Sequence, residues 1–278
     1  GTNNVALGDE ALEAVTSGAN NVGVGKDAGT AITTGDGNVA VGYQALDAED
    51  AHGLNTAIGY QALSAQNAGF DAKNTAVGYQ AGAAVTEGDR NTLVGTSAGS
   101  SLTHADFNVA FGEAALASDT LGSRSTAIGR AALNAQNFTS ATNTYNTAVG
   151  NNAGLSVTTG IQNTLIGGLA GDALTTQNNN TAVGYLALSA ETNNNGNTAL
   201  GSEALKSQNV GGDGDARNTG VGQNAGTNIT SGIFNTLVGG LAGSSLTDAD
   251  RNVAVGMNAL GSDTLGSKSV AVGQSALY

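Results

Sequence analysis

In the stretch N-V-G-G-D-G-D-A-R at 209–217, Asp213 and Asp215 offer two hard carboxylate oxygens, the donor type that Ca²⁺ takes. The remaining ligands of an EF-hand loop and the tandem Gly-Asp repeats of calcium-binding rolls are both missing, so a flexible acidic loop is the simpler reading. The cluster Asp47, Glu49 and Asp50 reads the same way. Only two histidines occur, His52 and His104, and they fall at unmatched positions three repeat copies apart, which predicts two exposed turn residues and not a metal pair. With no cysteine, the usual zinc constellations are absent as well. No G-x-S-x-G elbow and no G-x-x-x-x-G-K-[ST] loop occurs, so neither a hydrolytic triad nor a phosphate cradle is supported. A polysaccharide-cleaving enzyme would need paired carboxylates fixed in a groove, whereas the acids here are scattered over variable turn positions. The expectation is a protein without catalytic residues or a cofactor, Asp213 and Asp215 being the sole ion candidates.

The elements that would carry any such group are copies of one short phrase. Taking its glycine as position zero, the phrase recurs at 8, 25, 42, 59, 78, 95, 112, 129, 150, 167, 184, 201, 222, 239, 256 and 273. The step is 17 residues except after every fourth copy, where it is 19 or 21, so sixteen copies form four blocks, approximately 1–70, 71–142, 143–214 and 215–278. Position +3 is Ala in all sixteen copies, position −4 is Asn in fourteen, and position −1 is aliphatic in fifteen with Phe111 the exception. Asn74, Gly78 and Ala81, followed by Asn91, Gly95 and Ala98, are two consecutive sets of these structural positions. Position −3 is Thr in ten copies and Val in six; position −2 is only Ala, Gly or Leu.

A period of 17 is too short for a helix pair or a propeller blade and suits one coil of a β-solenoid with two short strands and two turns. The alternation in N-T-A-V-G, with β-branched residues bounded by Asn and Gly, is a strand pattern. The fold class expected is therefore all-β, a parallel β-solenoid of about sixteen coils in a single rod over 1–278, roughly 75 Å long at one strand spacing per coil. Asn at −4 should form a ladder between coils or cap the turn, and Gly at zero should make a bend that a Cβ would forbid.

Composition agrees with a thin core. The 278 residues include 43 Gly and no Pro, Cys or Trp, with 40% hydrophobic content, enough to fold but poor in large side chains. The net charge of −13 carries no Lys or Arg run, which argues against nucleic acid and anionic membranes as partners. No apolar run is long enough to span a bilayer. The only methionine is Met257 and the first residue is Gly1, which predicts a fragment or processed product whose signal or anchor lies outside it.

Both faces of the strand are apolar. Residues −3 and −1 share one face and −2 holds the other, so the thin lumen should take the first and identical chains about a symmetry axis should cover the second. Tyr43, Tyr60 and Tyr79 recur at +1 in three successive copies and would stack into an exposed strip, either a surface for sugars or a partner, or a packing ladder; Tyr185 stands alone at the same position. The insertions 68–73, 138–145 and 210–217 would project at one edge and either bind something or brace a neighbouring chain.

The residues N-T-A-V-G-Y-Q-A at 74–81, S-T-A-I-G-R-A-A at 125–132 and S-V-A-V-G-Q-S-A at 269–276 resemble the [NS]-x-A-[IV]-G-x-x-A phrase of the head repeats in YadA-like trimeric autotransporter adhesins, and similar phrases occur in phage tail fibres. The resemblance spans all sixteen copies, although the adhesin repeat is usually about three residues shorter. It implies a left-handed parallel β-roll, three chains packed side by side, and a structural and adhesive role outside the cell, at the cell surface or on a virion. The implied partners are the chain itself, as a homotrimer, and a surface receptor or glycan on a host or neighbouring cell. A phage tail-fibre shaft is the first alternative; a monomeric ligand-, ion- or ice-binding solenoid is the second. The threonines at −3 suit a flat ligand ladder, but their parity with −1 sets them inward in this reading.

Overall fold

The computed structural model describes residues 1–211 and 214–278. Among them there is no helix: the chain is a parallel β-solenoid whose coils divide into two units, Gly1–Thr144 and Tyr145–Tyr278, of eight coils each. In the first unit the strands are Val5–Leu7, Val22–Val24, Val39–Val41, Thr56–Ile58, Thr75–Val77, Thr92–Val94, Val109–Phe111 and Thr126–Ile128. In the second they are Thr147–Val149, Thr164–Ile166, Thr181–Val183, Thr198–Leu200, Thr219–Val221, Thr236–Val238, Val253–Val255 and Val270–Val272. Every pairing is parallel and in register, so each repeat position lies on its own copy in the next coil, as Thr75 lies on Thr92 and Val77 on Val94.

Each coil holds one three-residue strand where two were expected. Most of the remaining path is turn, and its backbone groups bond to the coils on either side. The device is a change of φ sign. At +2, Gln61 is left-handed (φ 53°) and donates its N–H back to Tyr43 O at 2.9 Å; at +4, Leu63 is left-handed (φ 49°) and donates forward to Ala81 O at 3.0 Å. A left-handed residue costs an L-amino acid about 1–2 kcal/mol, offset here by hydrogen bonds that a buried backbone needs. The insertions add second strand pairs: Gly122–Ser123 pairs with Thr142–Asn143, and Asn194–Asn195 with Gly214–Asp215.

Gly78 and Gly95 show why position zero admits no side chain. Their φ values are 140° and 133°, and a Cβ on Gly78 would lie 2.5 Å from the carbonyl oxygen of Gly95. Bend and coil-to-coil contact thus make the same demand on one residue.

The lumen corrects the expected parity. The middle residue of the strand, −2, faces inward: Ala57, Ala76, Leu93 and Ala110 have no exposed surface, and the strands read buried only at their centres. The −3 and −1 residues face out. The invariant Ala at +3, for instance Ala81 and Ala98, is fully buried beside the −2 residue in every coil but the first and last. A lumen this narrow has room for Ala and one or two larger aliphatic side chains per coil, as Leu93 and Leu102 show, not for a double row of β-branched side chains as well. The choice at +4 follows from the same shortage of space. A Cβ on Gly82 would sit 2.7 Å from Leu93 Cδ1 and 2.9 Å from Leu63 Cδ2, and one on Gly99 would sit 2.8 Å from both Leu93 and Leu102. Where +4 is Gly, position +7 supplies the apolar filling, as Ile32, Val85, Leu102, Val157, Leu174, Ile229 and Leu246 do, all without exposed surface.

Candidate functional site

The outward face of each unit is built from the −3 and −1 residues alone. All sixteen of these side chains in the first unit, from Val5 and Leu7 to Thr126 and Ile128, are Val, Leu, Ile, Thr or Phe, and the sixteen of the second, from Thr147 to Val272, are Val, Leu, Ile or Thr. No charge interrupts either. Large apolar groups stand in solvent there, Phe111 at 55% and Leu200 at 45% exposure, with Ile58, Ile128 and Ile166 close to two-fifths exposed. In the second unit the −3 row reads Thr147, Thr164, Thr181, Thr198, Thr219 and Thr236 on six consecutive coils. The result is a ladder of hydroxyl-bearing side chains beside a ladder of aliphatic ones. Contiguous uncharged surface of this kind is the candidate interaction face of each unit.

The tyrosine strip forms, but as a stack. Tyr43 and Tyr60 have ring centroids 5.2 Å apart at 21°, and Tyr60 and Tyr79 5.2 Å apart at 12°. Each inner ring face is covered by its neighbour, so the strip presents edges and phenol groups to solvent. A parallel amide ladder runs beside it, Gln61 Nε2 donating to Gln44 Oε1 and Gln80 Nε2 to Gln61 Oε1, both at 3.0 Å. Tyr185 is exposed at the same repeat position. These contacts are coil-to-coil packing.

The asparagines at −4 beyond Asn4 are buried and bond between coils. Asn74 Oδ1 accepts the backbone N–H of Asn91 at 2.8 Å while Asn74 Nδ2 donates to Gly88 O at 2.7 Å, and Asn91 Nδ2 repeats the pattern to Ala105 O at 2.8 Å.

A second buried polar ladder has no counterpart in the sequence reading. In the third and fourth coils of the blocks, where Leu occupies +4, position +7 turns polar: Glu49, Asp119, Glu191 and Asp263 in the third and Gln66, Gln136 and Gln208 in the fourth, whereas the first coil pairs Leu12 with Val15. Among these, Glu49, Asp119 and Glu191 have no exposed surface. Asp119 Oδ1 accepts the N–H groups of Gly122 and Phe138 at 3.1 and 3.0 Å, and its Oδ2 accepts Gln136 Nε2 at 2.6 Å. Glu191 is held alike by the N–H groups of Asn193 and Asn194 and by Gln208 Nε2 at 3.0 Å. The signal was present in the sequence as a correlation between +4 and +7.

Glu49 departs from that pattern. Its Oε1 accepts the N–H of His52 at 3.2 Å and its Oε2 reaches Asn55 Nδ2 only at 3.5 Å, while Gln66 turns away to bond Thr86 O and Asn74. Burial pushes the Glu49 carboxyl up to about 7, with the nearby charges of Asp50 and Asp71 adding to the rise. So the stretch 47–50 is a turn closed over a buried acid, and only Asp50 of the three is exposed. Burial likewise raises Asp47. His104 stands apart from His52, 3.8 Å from Glu87 in an exposed pair. Asp213 lies outside the described residues, and Asp215 pairs with Arg217.

Position −5 concentrates the scarce cations. Lys73, Arg90, Arg124, Arg217, Arg251 and Lys268 are six of the nine basic residues of the chain. In the first unit the guanidinium groups of Arg90 and Arg124 lie 5.1 and 4.9 Å from the centre of the Phe107 ring, covering both its faces. Arg90 also pairs with Asp89 at 2.8 Å, while Arg124 donates to the neutral amide oxygen of Asn143 at 2.9 Å.

No known protein family matches the chain, and no curated protein or solved structure does either. No helix among the described residues is long and apolar enough to cross a membrane.

Proposed function

We propose that this chain is a structural and adhesive segment of an extracellular fibre, at the cell surface or on a virion, in which three copies pack side by side in left-handed coils, with no enzymatic role. The observation that carries the proposal is the uncharged, mostly β-branched face of side chains at −3 and −1 in each unit, left in solvent by a protein of net charge −13. A soluble chain so rich in acid gains nothing from keeping this face free of charge unless something covers it. Identical chains are the simplest cover, because the face is self-similar along its length and in-register copies can repeat one contact coil after coil. The likeness of the repeat phrase to YadA-like head repeats supports the same reading. Surface turns would then present weak receptor or glycan contacts multiplied by three chains. A tail-fibre shaft would use the same face.

The test is the mass in solution by light scattering at micromolar concentration. The proposal expects about three times 27.0 kDa, falling to a folded single chain when Thr181→Lys and Val183→Lys place charge on the face. A folded monomer in the unaltered chain overturns it.

A second reading rests on the threonine ladder, which the expected inward parity had set aside. Six successive outward Thr residues, each beside an aliphatic residue two positions on, form a regular array suited to ordering water. An ice- or lattice-binding monomer would retain the single-chain mass and alter ice-crystal growth, and Thr181→Lys would abolish that effect.

A further inference from the structure

The four blocks serve as internal controls for one another at the acid of the third coil, which is buried in the first three. In three of them the acid at +7 is followed by Thr at +8, namely Thr120, Thr192 and Thr264, and by a residue with neither imidazole nor carboxylate at +10, namely Gly122, Asn194 and Gly266. In the first block these positions hold Asp50 and His52. The ligating atoms of Glu49, Asp50 and His52 all lie within 4.8 Å of one another. The glutamine amide that donates to Asp119 and Glu191 is turned away from Glu49, whose carboxylate has no exposed surface. His52 Nδ1 is buried and has no hydrogen-bond partner. A buried carboxylate whose one side-chain amide, Asn55 Nδ2, stands 3.5 Å away, an orphaned imidazole nitrogen and a further carboxylate are thus gathered at one turn, where Asp119 and Glu191 each hold two backbone N–H groups and a glutamine amide. Such a set is left short of positive charge and of a donor.

We propose that Glu49, Asp50 and His52 form a binding site for a divalent transition-metal ion of the Zn²⁺ class. One imidazole and two carboxylates are the donor types such ions accept, and three protein ligands leave a further position for water or an outside group. The imidazole separates this site from a calcium loop, which takes oxygen donors throughout. Asp71, which accepts the N–H of Gly53 at 3.0 Å, fastens the next turn against the site and adds negative charge to it. The ion would staple the turn where the first insertion, 68–73, begins to displace the coil path.

The experiment is calorimetric titration of the whole chain with ZnCl₂, run in parallel with CaCl₂, on the unaltered protein and on His52→Ala, Glu49→Gln and His104→Ala. One saturable Zn²⁺ site per chain is expected, weakened about tenfold or more by His52→Ala and Glu49→Gln and unchanged by His104→Ala. Visible absorption of bound Co²⁺ provides a second readout that reports nitrogen ligation directly, and circular dichroism establishes that each variant is folded. Absence of saturable Zn²⁺ binding, or binding that His52→Ala leaves unchanged, overturns the proposal. Ca²⁺ bound as tightly as Zn²⁺ in both the unaltered chain and His52→Ala also overturns it, because the carboxylates would then suffice.

Discussion

Asn74 holds Asn91 from the side: its Oδ1 accepts the Asn91 backbone N–H at 2.8 Å, and neither residue has more than 1% of its surface exposed. The bond recurs up the solenoid, from Asn55 to Asn74 and from Asn91 to Asn108, both at 3.0 Å. Each amide thereby supplies an acceptor to the coil after it, at a strand edge where no backbone carbonyl is available.

Replacing Asn91 by Ala removes the acceptor used by Asn108 and the donor used by Ala105. Two buried groups lose their partners at about 1–3 kcal/mol each. The denaturant midpoint of N91A should fall accordingly with an unchanged m value. A loss below about 0.5 kcal/mol would mean that the ladder does not carry stability.

The bend glycine and a loop glycine should behave oppositely. Gly78→Ala forces a Cβ into the Gly95 carbonyl at φ 140° and should cost about 2–3 kcal/mol. Gly69, in the first insertion, has open space for 4 Å around the point a methyl group would occupy, and Gly69→Ala should stay within about 0.5 kcal/mol of the unaltered chain. Thermal melts of the two variants decide it.

Lumen residues at +4 and −2 are coupled by volume. Gly99→Ala brings a methyl to 2.8 Å from Leu93, so G99A should destabilise, L93A should destabilise by about 2–5 kcal/mol, and the double variant should cost less than the sum. A coupling of about 0.5–3 kcal/mol is expected from the cycle. Strict additivity would show that the lumen relaxes around each change independently.

Asp172 provides a pH dependence of known sign. Burial raises its carboxyl above the ordinary range, and its Oδ1 is buried without a partner. The folded chain therefore holds this proton more tightly than the unfolded chain, so the contribution to stability is full below the ordinary carboxylate range and is lost as pH rises through the raised folded value. Asp172→Asn should raise the melting temperature by about 2 °C or more at neutral and alkaline pH, and the gain should vanish near about pH 4. An equal gain at all pH values would assign the effect to packing.

The stretch N-T-A-V-G at 74–78 contains nearly all that was legible in advance. Its period specified a solenoid, because a phrase repeated at one coil length can only stack on itself, and its Gly and Asn marked the bend and the ladder by their backbone chemistry. The insertion after every fourth copy was equally plain. The acid at Glu49 was not, since a carboxylate in a turn reads as solvated until the coil above closes over it. Nor was the pairing of Gly82 with Leu63 and Leu93, which lie on neighbouring coils and touch only after stacking.

Strand parity separates Thr75 and Val77 from Ala76, and the sequence alone determines that much, because side chains alternate along any strand. Which set faces inward depends on the width of the coil, a quantity that two apolar faces leave open. The tertiary structure decided it. Invariant Ala81 and the leucines at +4 and +7 already fill the lumen, so only a residue as small as Ala76, or a Leu opposite a Gly, fits beside them, and the β-branched pair is left to the outside.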